Sequence, residues 1–191
     1  MKNAIILHGR PSKEEYYNPV RPSMSNAHWL PWLQGQLLKH DIETATPEVP
    51  YSFAPEWDRW VNEVERFDIG PETMLIGHST GGGFWVRYLT EHPELKVDKV
   101  ILVAPWINSR HEDDIDFFSF ELNPKVTEQA QKFLIIGSDN DGEDVTNSVN
   151  FLREKLPGVA YREFKGYGHF TWKSMDSTEF PELLEELLTD S

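Results

Sequence analysis

Cysteine is absent from the 191 residues, which removes disulfides, thiolate metal sites and a cysteine nucleophile together. Basic residues are scarce: 18 Lys and Arg stand against 32 Asp and Glu, a formal charge of -14. A nucleic-acid backbone or an anionic membrane surface would be repelled by such a chain, so the expected partner is a neutral, apolar or cationic small molecule. No apolar run approaches the ~18 residues that a membrane span needs. The opening MKNAIILHGR has five apolar residues before a charge, too few for the apolar stretch of a signal peptide. A cytoplasmic protein folded as a single domain over 1–191 is the expectation, monomeric by default.

What is present is an alternation of short apolar runs with amphipathic stretches. Ala4–Leu7, Ile42–Thr46, Thr73–Ile76, Lys99–Ala104, Phe133–Ile136 and Val159–Phe164 read as strands. Between them the spacing predicts helices from Asn26 (as cap), over Glu56–Phe67, Phe84–His92 and Asp144–Leu156, and a closing one over Phe180–Leu188. Strands alternating with helices imply an α/β fold, a mainly parallel sheet of about six strands in a three-layer α/β/α sandwich. Two stretches fit neither period. Residues 10–25, RPSKEEYYNPVRPSMS, read as a flap-like loop. Residues 105–125, with Trp106, Phe117 and Phe118, read as a lid or pocket segment, because ligands of such sheets sit at the carboxyl ends of the strands.

IGHSTGGG, Ile76–Gly83, carries the chemistry. Gly77-His78-Ser79-Thr80-Gly81 fits G-x-S-x-G between a predicted strand and a predicted helix, the context of a nucleophile elbow. A serine on so tight a turn needs neighbours without side chains two residues away. A phosphate loop would need lysine after the glycines, and Phe84 stands there. A dinucleotide fingerprint would need its glycines beside the first strand, which ends instead in His8-Gly9-Arg10. A plain glycine turn would require nothing elsewhere in the chain, whereas a nucleophilic serine needs a base.

Of seven histidines, only His169, in GYGHFTW, lies in a loop after the last strand, so it is the candidate base. An acid must orient it, and Asp139, Asp141, Glu143 and Asp144 all follow the strand FLIIG in SDNDGED. Serine, acid and histidine then stand in the chain order of this fold class. His8 and His78 read as structural or pocket-lining. Read as a calcium loop, SDNDGED fails at both ends, and HEDDID at 111–116 has no ligand spacing, so both read as solvated charge. No metal or organic cofactor is implied. The backbone N–H of Thr80, just after the serine, is the natural first donor to an oxyanion.

The chain resembles the α/β-hydrolase superfamily, in particular its short members related to the retinoblastoma-binding serine hydrolase and many small bacterial proteins assigned as esterases. LHG, AHWLPWLQGQL, IGHSTGG, VILVAPW, the acidic turn after FLIIG, and GHF carry the likeness along nearly the whole chain. The resemblance implies a Ser-Asp-His triad, with the acid in a G-S-x-x-D turn; that pattern selects Asp141, with Asp139 as the fallback. Gly142 stands where relatives often have proline, which implies a looser turn. The second oxyanion donor would come from the loop after the first strand; Pro11 has no N–H, which leaves the Arg10 amide. Trp106, Phe117, Phe118 and Trp172 are expected to line an acyl pocket. The implied activity is hydrolysis of a carboxylic ester through an acyl-serine, with amidase, thioesterase and peptidase chemistry using the same residues. The alternative is a protein-binding or scaffolding role on a hydrolase fold whose catalysis is minor or lost.

Overall fold

The computed structural model describes residues 2–107 and 116–189. The 111–116 acidic run and the middle of the 105–125 segment therefore lie largely outside the described residues. Among the described residues six strands form one sheet: β1 (Asn3–Leu7), β2 (Glu43–Ala45), β3 (Thr73–His78), β4 (Val97–Val103), β5 (Ala130–Ser138) and β6 (Ala160–Phe164). Their order is β2-β1-β3-β4-β5-β6 and every pairing is parallel, so the expected three-layer α/β/α architecture is present. Strands β3 and β4 are buried along their whole length, which explains why they read as apolar runs rather than alternating ones.

The helices are α1 (Lys13–Tyr16), α2 (Leu30–Lys39), α3 (Trp57–Val64), α4 (Thr80–Glu91), α5 (Glu143–Lys155), α6 (Trp172–Met175) and α7 (Pro181–Leu188). Two are single turns that periodicity cannot register. Ser12 and Glu15 form a capping box on α1, and Thr171 and Ser174 form one on α6. α2 starts four residues later than Asn26: Met24–Asn26 is a 3-10 turn, His28 has φ +58° outside the helical region, and Pro31 sits in the first helical turn. α4 starts earlier than Phe84, because the glycines after Ser79 are its first turn. None of the described helices is long and apolar enough to cross a membrane.

Packing around α4 shows what the aromatic residues after β4 do. Trp106, Phe117 and Phe118 are 7 %, 2 % and 4 % exposed, and Phe117 lies 5.6 Å from Trp57 and 5.3 Å from Trp60 between ring centroids. Phe118 packs on Trp106 at 5.3 Å, and both press on the helix where Gly83 leaves room for the Trp106 carbonyl and the Phe118 ring. Arg87 ties the segment down by donating to the Phe117 carbonyl at 2.7 Å. These three aromatics belong to the core; Phe117 also borders a hollow beside Trp57, and none of the three lines the cleft that holds Ser79, contrary to the expectation. Composition marks them as apolar but does not say which side of α4 they cover.

Candidate active site

Ser79 sits at the carboxyl end of β3 as the N-terminal neighbour of α4, with φ +54° and ψ -120°. That backbone is costly for a residue with a side chain, by about 1–3 kcal/mol, and persists only where the surroundings enforce it. Here the enforcement is visible. The Ser79 N–H donates to Val103, and its carbonyl accepts from Gly82, Gly83 and Trp106. A Cβ on Gly77 would lie 2.5 Å from the Gly81 backbone, and one on Gly81 would lie 2.6 Å from the His8 carbonyl. Both glycines are demanded by crowding, for neither has a positive φ. Gly9 is equally close on the other side, since a Cβ there would stand 2.9 Å from the Ser79 Cβ. The loop after β1 thus runs against the serine, and the N–H of Thr80, first in α4, has no acceptor within its own helix.

His169 and Asp141 meet across two turns. His169 Nδ1 lies 3.1 and 3.0 Å from the two carboxylate oxygens of Asp141, whose side chain is 5 % exposed against 32 % for the histidine. A carboxylate only accepts, so the neutral ring carries its proton on Nδ1 and leaves Nε2 as the basic nitrogen. Asp139 stands elsewhere, accepting from the Gly166 N–H at 2.8 Å. The neighbouring side chains repeat the theme: Ser138 Oγ accepts from Tyr167 N–H, and Asn140 Oδ1 accepts from Gly168 N–H at 2.7 Å. Residues 138–141 therefore hold residues 166–169 by four side-chain bridges. Gly142 donates its N–H to Asp141 Oδ1 at 2.6 Å, a bond proline could not make. The expected looser turn is instead anchored.

Two further histidines support the arrangement. His78 Nε2 donates to the His169 carbonyl at 2.8 Å, and its ring is completely buried 5.0 Å from the His169 ring. Burial, then the neighbouring His169 and His28, hold its pKa well below the ordinary histidine value, so it acts as a neutral strut. His8 plays the same part under the β1 loop. Its Nε2 accepts from Val49 N–H at 3.0 Å and its Nδ1 donates to the Gly9 carbonyl at 2.8 Å, while burial lowers its pKa. His28 carried no sequence signal beyond its identity. It accepts from Trp172 N–H through Nδ1 at 3.3 Å, and burial followed by the charge of His169 brings its pKa down to about 4.

A cleft of about 320 Å³ opens over Ser79 and is also lined by Gly9, Arg10, His28, His169 and Trp172. Of the four expected pocket aromatics, only Trp172 lies on it. Larger hollows of about 600 and 690 Å³ lie at the β1–β2 edge and beside Trp57, but among the described residues neither is lined by a serine or a histidine.

A parallel sheet with a serine on a strained strand-to-helix turn, and a histidine and carboxylate on the turns after later strands, defines an α/β-hydrolase. The fold matches the ydeN gene product of B. subtilis with a TM-score of 0.79 at 22 % identity, over 98 % of this chain and 97 % of that one. It also matches the methylesterase MES16 of Arabidopsis with a TM-score of 0.64 at 13 % identity, over 98 % of each chain. A non-heme haloperoxidase of Rhodococcus erythropolis is 25 % identical over 131 residues, 61 % of this chain and 46 % of the relative, so the match spans less than half of that relative's length. The family model described as serine hydrolase matches residues 21–187, and the chain belongs to that family.

Proposed function

We propose that the protein is a serine esterase that cleaves a carboxylic ester through an acyl-serine, with Ser79 as nucleophile, His169 as base and Asp141 as orienting acid. The observation that carries the reading is the Asp141–His169 Nδ1 contact, made on a cleft whose wall also presents Ser79 from its strained turn. With Nδ1 engaged, His169 Nε2 takes the Ser79 proton as Oγ attacks the acyl carbon. The resulting oxyanion is received by the N–H groups of Thr80 and Arg10, each such donor being worth roughly 3 kcal/mol of barrier. His169 returns the proton to the leaving alkoxide. Water, deprotonated by the same nitrogen, then attacks the acyl-serine, and the acid and free serine result. The name of the Arabidopsis neighbour fits ester chemistry on this fold.

A fluorophosphonate probe tests the reading directly. Wild type should be labelled and Ser79→Ala should not, while both remain folded by circular dichroism. Folded wild type that takes no label and turns over no activated ester would overturn it in favour of a binding role.

A further inference from the structure

The chain is strongly acidic, yet its candidate cleft is not. Among the described residues lining the cleft are three cations, Arg10, Arg21 and Lys173, and one carboxylate, Glu15. Over the whole chain 18 cations face 32 carboxylates, so the described lining of the mouth is richer in cations than the chain at large. Glu15 offsets one of these cations. It accepts the Ser12 N–H at 3.1 Å in the α1 capping box and lies 3.5 Å from Arg21. Asp141, the acid nearest the chemistry, is turned to His169 and does not line the cleft. Lys173 extends along the Trp172 ring, 5.6 Å from its centroid, and pairs with no carboxylate among the described residues.

His28 adds a neutral donor between these cations. Because its Nδ1 accepts from Trp172 N–H, its proton sits on Nε2, which no described group accepts from. It holds this position from a left-handed backbone at φ +58°, the kind of strain that persists where the surroundings over-determine it. Arg21 and Glu15 both act electrostatically on this ring, and Lys173 follows Trp172 directly, so the three side chains surround one mouth.

We infer that this mouth is an anion subsite, and that the preferred substrate is a short ester whose acyl part ends in a carboxylate, held by Arg21, Lys173 and the Nε2–H of His28 while Ser79 attacks the ester carbonyl. The inference rests on the proposed serine chemistry. A volume of about 320 Å³ lies at the lower end of ligand sites and suits a half-ester of a four- to six-carbon diacid. Hydrolysis of such a half-ester consumes one water and gives the dicarboxylate, the alcohol and one proton. Long-range steering does not help, since a net charge of -14 repels an anion beyond the Debye length of ~10 Å; recognition must come from short-range pairing.

The test compares 4-nitrophenyl butyrate with the mono-4-nitrophenyl ester of glutaric acid at low ionic strength. Wild type should favour the carboxylate-bearing ester in kcat/KM by about tenfold, mainly through KM, and 0.5 M NaCl should erode the preference. Arg21→Gln and Lys173→Gln, both at exposed positions, should each reduce the preference about threefold, read as the ratio of kcat/KM for the two esters within each variant. His28→Asn, which tolerates the left-handed backbone, should also reduce it. An equal or better rate with the neutral ester, or a preference untouched by the Arg21 and Lys173 variants, overturns the anion subsite and leaves the serine chemistry standing. Failure of both esters together with no fluorophosphonate labelling overturns both.

Discussion

The back and front walls of the cleft are built on different principles. The back consists of the elbow and the turns at 138–142 and 166–169. There several groups are held by hydrogen bonds within the protein: Ser79 through its backbone, Asp141 with His169 and Gly142, and His78 Nε2 with the His169 carbonyl. The front consists of residues 10–28 and 171–173. It rests on two single-turn helices, with Arg21, Trp172 and Lys173 exposed. Groups that must keep a position within a fraction of an ångström are locked by crowding and hydrogen bonds. Groups that choose among substrates sit on short segments whose surroundings constrain them less.

Substitutions on the two walls should therefore fail differently. Ser79→Ala should cut turnover by roughly 10⁶-fold with the fold intact, read by ester hydrolysis and probe labelling. Asp141→Asn should lower kcat by about 10³ to 10⁴-fold with little change in KM, because the ring loses its fixed tautomer. Asp139→Asn should leave most of the activity, since it removes a brace to Gly166 and not the partner of His169. A stronger effect from Asp139 than from Asp141 would reverse the assignment.

Gly81→Ala should instead cost stability, about 3 kcal/mol by denaturant unfolding, because the added Cβ would meet the backbone carbonyls of His8 and Leu7, which cannot give way. Acid should act on the same buried region. His8, His28 and His78 are all held neutral by burial, so the unfolded chain binds more protons below the unfolded histidine value of 6.5. Stability is then complete above about pH 6.5 and declines as pH falls toward the folded values. His28, brought to about 4, accounts for up to about 3 kcal/mol of that loss. Unfolding curves between pH 7 and 4 should show the decline, and His28→Asn should flatten it. Smallest of all, Trp172→Ala on the front wall should change KM by less than tenfold and leave kcat nearly untouched, a split that steady-state kinetics reads directly.

Much of the back wall was legible in the chain. The elbow motif, its strand and the order of serine, acid and histidine are local or ordinal features, and sequence carries both kinds. The choice of Asp141 over Asp139 came from resemblance alone; the structure places the two on different partners, His169 and Gly166. The front wall was hardly legible. Capping boxes of one turn have no periodicity, and the role of His28 depends on a contact with Trp172, 144 residues away. The aromatic segment was misjudged for a related reason: Phe117 and Phe118 have the same composition in a pocket or under a helix, and only the packing against α4 decides between them.

By itself, the amino-acid sequence determined the alternating strands and helices, the mainly parallel sheet that follows from them, the serine between its glycines and the excess of negative charge. Those follow from local sterics, periodicity and counting. Tertiary structure alone decided which carboxylate reaches the histidine, and that Arg10, Arg21 and Lys173 line one cleft with His28 and Ser79. These depend on distances between residues remote in the chain, and such distances exist only once the sheet has brought its carboxyl-end loops together.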